Sequence, residues 1–126
     1  MKAVLDTSVV IAADVAPLDG DLAISAVTLA ELHFGVLVAG DRRVRAERLR
    51  RLLVLQRSFD ALPLDEDVAA SYGLIASAVV EAGRQPRARS MDLLIAATAH
   101  AHSARLYTRN VDDFHGLDQL VEVVQA

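Results

Sequence analysis

Short apolar runs alternate with longer helical stretches along the chain. Residues 3–5 read as a short buried strand, followed by a helix over 8–14. Pro17, Asp19 and Gly20 mark a turn. Residues 22–26 read as a second strand. Thr28 caps a helix that Gly40 ends. Residues 42–58 form the next helix, with Leu49, Leu52 and Leu53 on its apolar side. A brief strand over 61–64 is broken by Pro63. The Ala-rich stretch 66–82 is helical, with acids at its start and Gly83 at its end. Ser90 caps a further helix over 91–103. Residues 105–108 and 121–125 are the last strands, and a helical turn falls at 111–114. Strands alternating with helices predict an α/β fold in three layers: a central parallel sheet of four to five strands flanked by helices. In such sheets ligands bind beyond the carboxyl ends of the strands.

Composition narrows this picture. With 126 residues the chain reads as one domain, 1–126, without repeats or linkers. It is 53% hydrophobic but only 4% aromatic, so the core must be built from Ala, Val, Leu and Ile. The lack of cysteine removes thiolate chemistry, disulfides and Cys-based metal sites, and is compatible with a cytoplasmic location. No stretch is long and apolar enough to span a membrane, and none resembles a signal peptide. The net charge is −4, yet residues 41–58 hold seven of the 13 basic residues with only Asp41 and Glu47 as acids.

Four acids fall where strands yield to turns or helices: Asp6, Glu31, Asp92 and Asp113. Separate carboxylates delivered to one sheet edge form an all-oxygen pocket, suited to Mg²⁺ or Mn²⁺ rather than zinc. That points to metal-assisted phosphodiester chemistry. Each acid also has a structural reading. Asp6 is placed to cap the helix that follows. Glu31 stands three residues after Thr28, as in a capping box. Asp92 sits in a first turn, where the helix dipole favours an acid. Asp112 and Asp113 are adjacent, so only one of them enters a shared site directly, and Asn110 is a neutral alternative. His100 and His102 face different directions on a helix, and His33 and His115 are isolated, so no histidine metal set exists. No glycine-rich nucleotide motif is present. A receiver domain would need a basic residue after a late strand and an acid pair after the first. A haloacid-dehalogenase-type phosphatase would need an Asp where Ser8 stands.

Asp6-Thr7-Ser8, Glu31 with Gly35, Met91 through Ala97, and Leu106 through Phe114 occur in this order. Together they resemble the PIN domain, in the VapC-type form found in bacterial type II toxin–antitoxin systems, over nearly the whole chain. The resemblance implies a PIN-like fold and a Mg²⁺-dependent endoribonuclease, with Mn²⁺ as an alternative cofactor. It also implies a homodimer and a cognate antitoxin protein as partner. The family's acids fall on Asp6, Glu31 and Asp92. The less regular fourth is assigned to Asp113, with Asn110 and Asp112 as alternates. Asp6 and Asp92 are the implied metal ligands, and Thr7, Ser8 and Thr108 the implied supports. Arg42, Arg45 and Arg48 lie three apart on the basic helix and form a candidate RNA-binding face. A catalytically degenerate PIN-fold module that binds RNA or protein is the rival reading.

Overall fold

The strand β1 (Lys2–Leu5) is enclosed on both sides, and its sequence shows why. Ala3, Val4 and Leu5 are all apolar, as a strand covered on both faces requires, and all three are buried. The computed structural model describes residues 1–126. Its sheet has five parallel strands in the order β3-β2-β1-β4-β5. These are β1, β2 (Asp21–Ser25), β3 (Asp60–Leu62), β4 (Arg105–Thr108) and β5 (Val123–Gln125). The helices are α1 (Thr7–Val10), α2 (Ala26–Leu37), α3 (Arg42–Ser58), α4 (Glu66–Glu81) and α5 (Ser90–Ala101). Two 3-10 turns, Pro86–Arg89 and Val111–Phe114, precede α5 and follow β4.

Alternation along β1 divides the core. Val4 joins a cluster with Ala23 and Leu106, covered by Val68, Ile75 and Val79 of α4 and by α5. Ala3 and Leu5 join Ile24 and Tyr107 on the opposite face, covered by α1 and flanked by Leu29, Leu32 and Leu55 of α2 and α3. This is the three-layer arrangement expected from the pattern. Helix α5 is almost wholly internal: Ile95, Ala96, Ala97 and Ala99 have no exposed surface. Alanines there let the helix lie close to the sheet.

Several local expectations are corrected. Helix α1 has only four residues rather than reaching residue 14. Arg51 donates to the carbonyls of Val10 and Ala12, which satisfies by a tertiary contact what another helical turn would have satisfied. Helix α2 is capped by Ser25, whose Oγ accepts from Val27 N at 3.0 Å, and not by Thr28. Helix α5 begins at Ser90 itself, directly after the 3-10 turn, without a side-chain cap. Its end comes at Ala101, with Ser103 at φ 51°. On α3, Leu52 is buried, but Leu49 and Leu53 are 45% and 49% exposed.

The strand order decides the place of the site. From β1 the chain moves outward through β2 and β3, then crosses to β4 on the other side of β1. The crevice between the ends of β1 and β4 is therefore the point where the winding reverses, and parallel sheets open there to ligands. Asp6 leaves β1 and Thr108 closes β4 on the two sides of this crevice.

Candidate active site

Asp6 is the innermost acid, 4% exposed. It occupies the cap position of α1, yet its side chain makes no capping hydrogen bond. Instead Oδ2 accepts from Ser8 Oγ at 2.6 Å and from Thr108 Oγ1 at 3.0 Å. Those hydroxyls are anchored in turn: Ser8 Oγ accepts from Arg109 N, and Thr108 Oγ1 from Asn110 N. Oδ1 is buried without any hydrogen-bond partner. A buried carboxylate oxygen left bare costs the desolvation of a charged group, and a cation in the crevice would satisfy it.

Glu31 lies on the first turns of α2. Its Oε1 accepts from Thr7 Oγ1 at 2.8 Å, and Thr7 also meets the buried Thr28 Oγ1 at 2.9 Å. The reciprocal capping arrangement proposed for Glu31 is absent, because the cap residue is Ser25 and Thr28 already lies inside the helix. Thr7 thus ties the chain after β1 to the carboxylate of α2.

Asp92, in the first turn of α5, has a pKa raised above the usual carboxylate value. Partial burial is the largest cause, followed by the negative charges of Asp6, Asp113 and Glu31. The charges of the other three acids thus all reach Asp92. Arg89 acts in the opposite direction. Its Nη1 lies 3.6 Å from Asp92 Oδ2 and 2.8 Å from Asp113 Oδ1. Asp113 is thus drawn to the pocket, whereas Asp112 and Asn110 are exposed. Arg89 is not among the residues that the sequence nominates, because it is the 3-10 turn Pro86–Arg89 that delivers it, at the cap position of α5, to Asp92 and Asp113.

No group of three or more His, Asp or Glu side chains is arranged to hold a metal ion by itself. The residues present nevertheless fit Mg²⁺ or Mn²⁺. The donors are all oxygen, one is buried and bare, and Mg²⁺ keeps several waters rather than demanding an all-protein cage. The histidines take no part: His33 and His115 are exposed, and His100 Nδ1 meets Ser71 Oγ at 2.8 Å between α4 and α5.

The arginines of α3 lie to the Glu31 side. Arg45 Nη2 donates to Ala39 O at 3.2 Å and Arg48 Nη1 to Gly35 O at 2.7 Å, so both brace the end of α2. Arg42 is exposed. A groove of about 450 Å³ runs between α2 and α3, lined by Thr7, Ile11, Glu31, Leu32, Arg48 and Arg51 among others.

A sequence profile described as "PIN domain" matches residues 3–120. The chain belongs to the PIN domain family. Within this family it is 39% identical over 126 residues to Ribonuclease VapC5 of Mycobacterium tuberculosis, covering 95% of this chain and 90% of that protein. It is 38% identical over 104 residues to Toxin FitB of Neisseria gonorrhoeae, covering 80% of this chain and 73% of that one. Among solved structures, the PIN fold seen here matches a member of the VapBC family of toxin–antitoxin systems, VapBC-5 from Mycobacterium tuberculosis. The TM-score is 0.84 at 38% identity, covering 98% of this chain and 96% of that chain. FitAcB from Neisseria gonorrhoeae matches with a TM-score of 0.77 at 32% identity over the same shares. The PIN domain is therefore of the VapC type. No helix is long and apolar enough to cross a membrane.

Proposed function

We propose that this PIN domain is a Mg²⁺-dependent endoribonuclease and acts in the cytoplasm as the toxin of a toxin–antitoxin pair. The observation that carries the reading is the Asp6 carboxylate. One oxygen is fixed by Ser8 and Thr108, while the other is buried and bare, and the Asp6 charge reaches Asp92. Likeness to proteins named ribonucleases supports RNA as the substrate.

In this reading Asp6 and Asp92 would hold Mg²⁺, with Mn²⁺ as an alternative. Mg²⁺, when bound, supplies charge that polarises a phosphoryl oxygen and makes water more acidic. Glu31 and Asp113 accept hydrogen bonds from water and orient it toward phosphorus. The water oxygen forms the new bond to phosphorus and gives its proton to solvent, the P–O3′ bond breaks, and the leaving 3′-oxygen takes up a proton from solvent water. Products carry a 5′-phosphate and a 3′-hydroxyl. Thr7, Ser8 and Thr108 keep the carboxylates in place. Asn110 and Asp112 stand at the rim as further water-holding groups, and Arg42, Arg45 and Arg48 offer their outward N–H groups to the RNA backbone.

Structures with antitoxins are among those the chain matches, which supports a cognate antitoxin as partner. The groove beside Glu31, lined by Ile11, Leu32 and Leu52, offers it an apolar seat, and Phe34, Leu37 and Val38 at the end of α2 are 67%, 73% and 56% exposed. Exposed Leu74 and Val80 on α4 favour a homodimer.

Incubation of labelled RNA with the purified chain tests the reading. Cleavage is expected with Mg²⁺, loss with EDTA, recovery on adding Mg²⁺, and none for Asp6→Asn. RNA binding without cleavage in any divalent metal would favour the degenerate binding module.

A further inference from the structure

A second basic cluster lies on the opposite side of the acids from α3. Between α4 and α5 the sequence Arg84-Gln85-Pro86-Arg87-Ala88-Arg89 holds three arginines and no acid. Gly83, at φ +80°, ends α4 and turns the chain, and Arg84 N closes the helix on Val79 O at 3.0 Å. The 3-10 turn Pro86–Arg89 then carries Arg89 to the entrance of α5. Arg84, Gln85 and Arg89 line a cavity of about 130 Å³ together with Asp113. Arg89 is the one base in ion-pair contact with any of the four acids, and Arg84 and Arg87 have no acid within ion-pair distance.

We propose that Arg84 and Arg89 form a phosphate-binding subsite on the Asp113 side of the pocket, holding the RNA phosphate next to the one that is cleaved. The inference rests on the ribonuclease reading. Four carboxylates repel a polyanion, so the strand must be held by cations at the rim of the pocket. The guanidinium fork suits phosphate oxygens better than an ammonium would. Without RNA, Arg89 rests on Asp92 and Asp113. With the strand in place its donors turn to phosphate, and the acids are left to the divalent ion. Arg89 is 38% exposed at its side chain, so the exchange needs no opening of the fold. Together with the α3 arginines beside Glu31, this gives a basic, acidic, basic path across the sheet edge.

The test measures binding of a fluorescent single-stranded RNA to the full chain over a salt series, with Ca²⁺ replacing Mg²⁺ to hold back cleavage. Wild type is compared with Arg84→Gln, Arg89→Gln, their double variant and Arg89→Lys. Each glutamine variant should flatten the log–log salt slope by about 0.7 and lower affinity about 5-fold near 0.1 M salt, the effect of one lost phosphate contact. Arg89→Lys should keep the slope and lose part of the affinity. Mn²⁺ binding without RNA, read by electron paramagnetic resonance, should be as tight or tighter in Arg89→Gln, because a repelling cation is gone.

An unchanged slope in the folded double variant overturns the proposal. So does a flatter slope in Arg89→Gln accompanied by weaker Mn²⁺ binding, which would make Arg89 a brace for the carboxylates. The two readings fail separately. A wild type that shows the arginine-dependent slope but never cleaves RNA sinks the nuclease and leaves the subsite.

Discussion

Replacing Thr108 by Val tests whether hydroxyl support of Asp6 matters to both stability and metal binding. The two side chains have nearly the same shape, and Thr108 has no exposed surface, so the change is chemical rather than steric. Thr108 Oγ1 gives its one hydrogen to Asp6 Oδ2 at 3.0 Å and accepts from Asn110 N at 3.0 Å. Its 3.4 Å approach to Ser8 Oγ adds little, because Ser8 also gives its hydrogen to Asp6. A hydrogen bond to a charged group contributes about 1.5–3 kcal/mol. The Asn110 N–H, on an exposed residue, can turn to water, so its loss is discounted. Thr108→Val should therefore lose about 1.5–3 kcal/mol in metal-free urea unfolding, and its Tm should fall by roughly 5–10 °C for a domain of this size. Asp6 would then be held by Ser8 alone. Loss of such an outer partner typically weakens metal binding by about 10–100-fold, which Mn²⁺ titration reads directly. Thr108→Ser keeps the hydroxyl and should recover most of both losses. If Thr108→Val melts within about 2 °C of wild type and binds Mn²⁺ equally well, the support of Asp6 is not what holds the pocket.

Asp92→Asn should abolish cleavage yet stabilise the metal-free protein at neutral pH. The folded pKa of Asp92 is raised, so the folded state holds its proton more firmly, and stability falls as pH rises from the unfolded value through the folded one. Chemical unfolding in EDTA across that window should show the fall in wild type and a flatter profile in the variant; parallel profiles would remove Asp92 from the charge cluster. Glu31→Gln keeps an acceptor for Thr7 Oγ1 and removes the charge. It should leave the melting temperature nearly unchanged and cut cleavage strongly, and near-normal turnover would withdraw Glu31 from the site. Arg51→Met loses the bonds to Val10 O and Ala12 O at the end of α1 and should cost about 1–2 kcal/mol in the same unfolding assay.

The layers, the parallel sheet and several element bounds, including those of α3, β4 and the turn Val111–Phe114, follow from the apolar pattern because local periodicity dictates them. What stayed hidden depends on distant partners. Residues 11–14 carry a pattern compatible with helix, but Arg51, about forty positions away, takes the carbonyls that a longer α1 would have used. Leu49 and Leu53 look like a buried stripe, yet α3 packs through Leu52 and leaves them to solvent. Thr28 and Ser25 are equally good caps on paper. The extended backbone of Ser25, at φ −79° and ψ 148°, selects it. Order along the chain was enough to nominate Asp6, Glu31, Asp92 and Asp113, but only the crossing from β3 to β4 places Thr108 against Asp6.

The hydroxyls explain how such a pocket persists in a fold built mainly from small apolar residues. Each carboxylate that comes near the crevice adds repulsion, and burial of Asp6 and partial burial of Asp92 worsen it. Thr7 and Thr28 brace Glu31, and Ser8 and Thr108 brace Asp6, while Arg89 pairs with Asp92 and Asp113 across the rim. Donors of this kind stabilise the charges without adding bulk, and they leave Asp6 Oδ1 bare rather than closing the pocket around it. Replacing that bare oxygen with a neutral amide would relieve the repulsion and remove the reason for a cation to enter. Stability and metal binding at this site therefore pull in opposite directions, and the same acids that strain the metal-free fold are the ones a divalent ion would repay with binding.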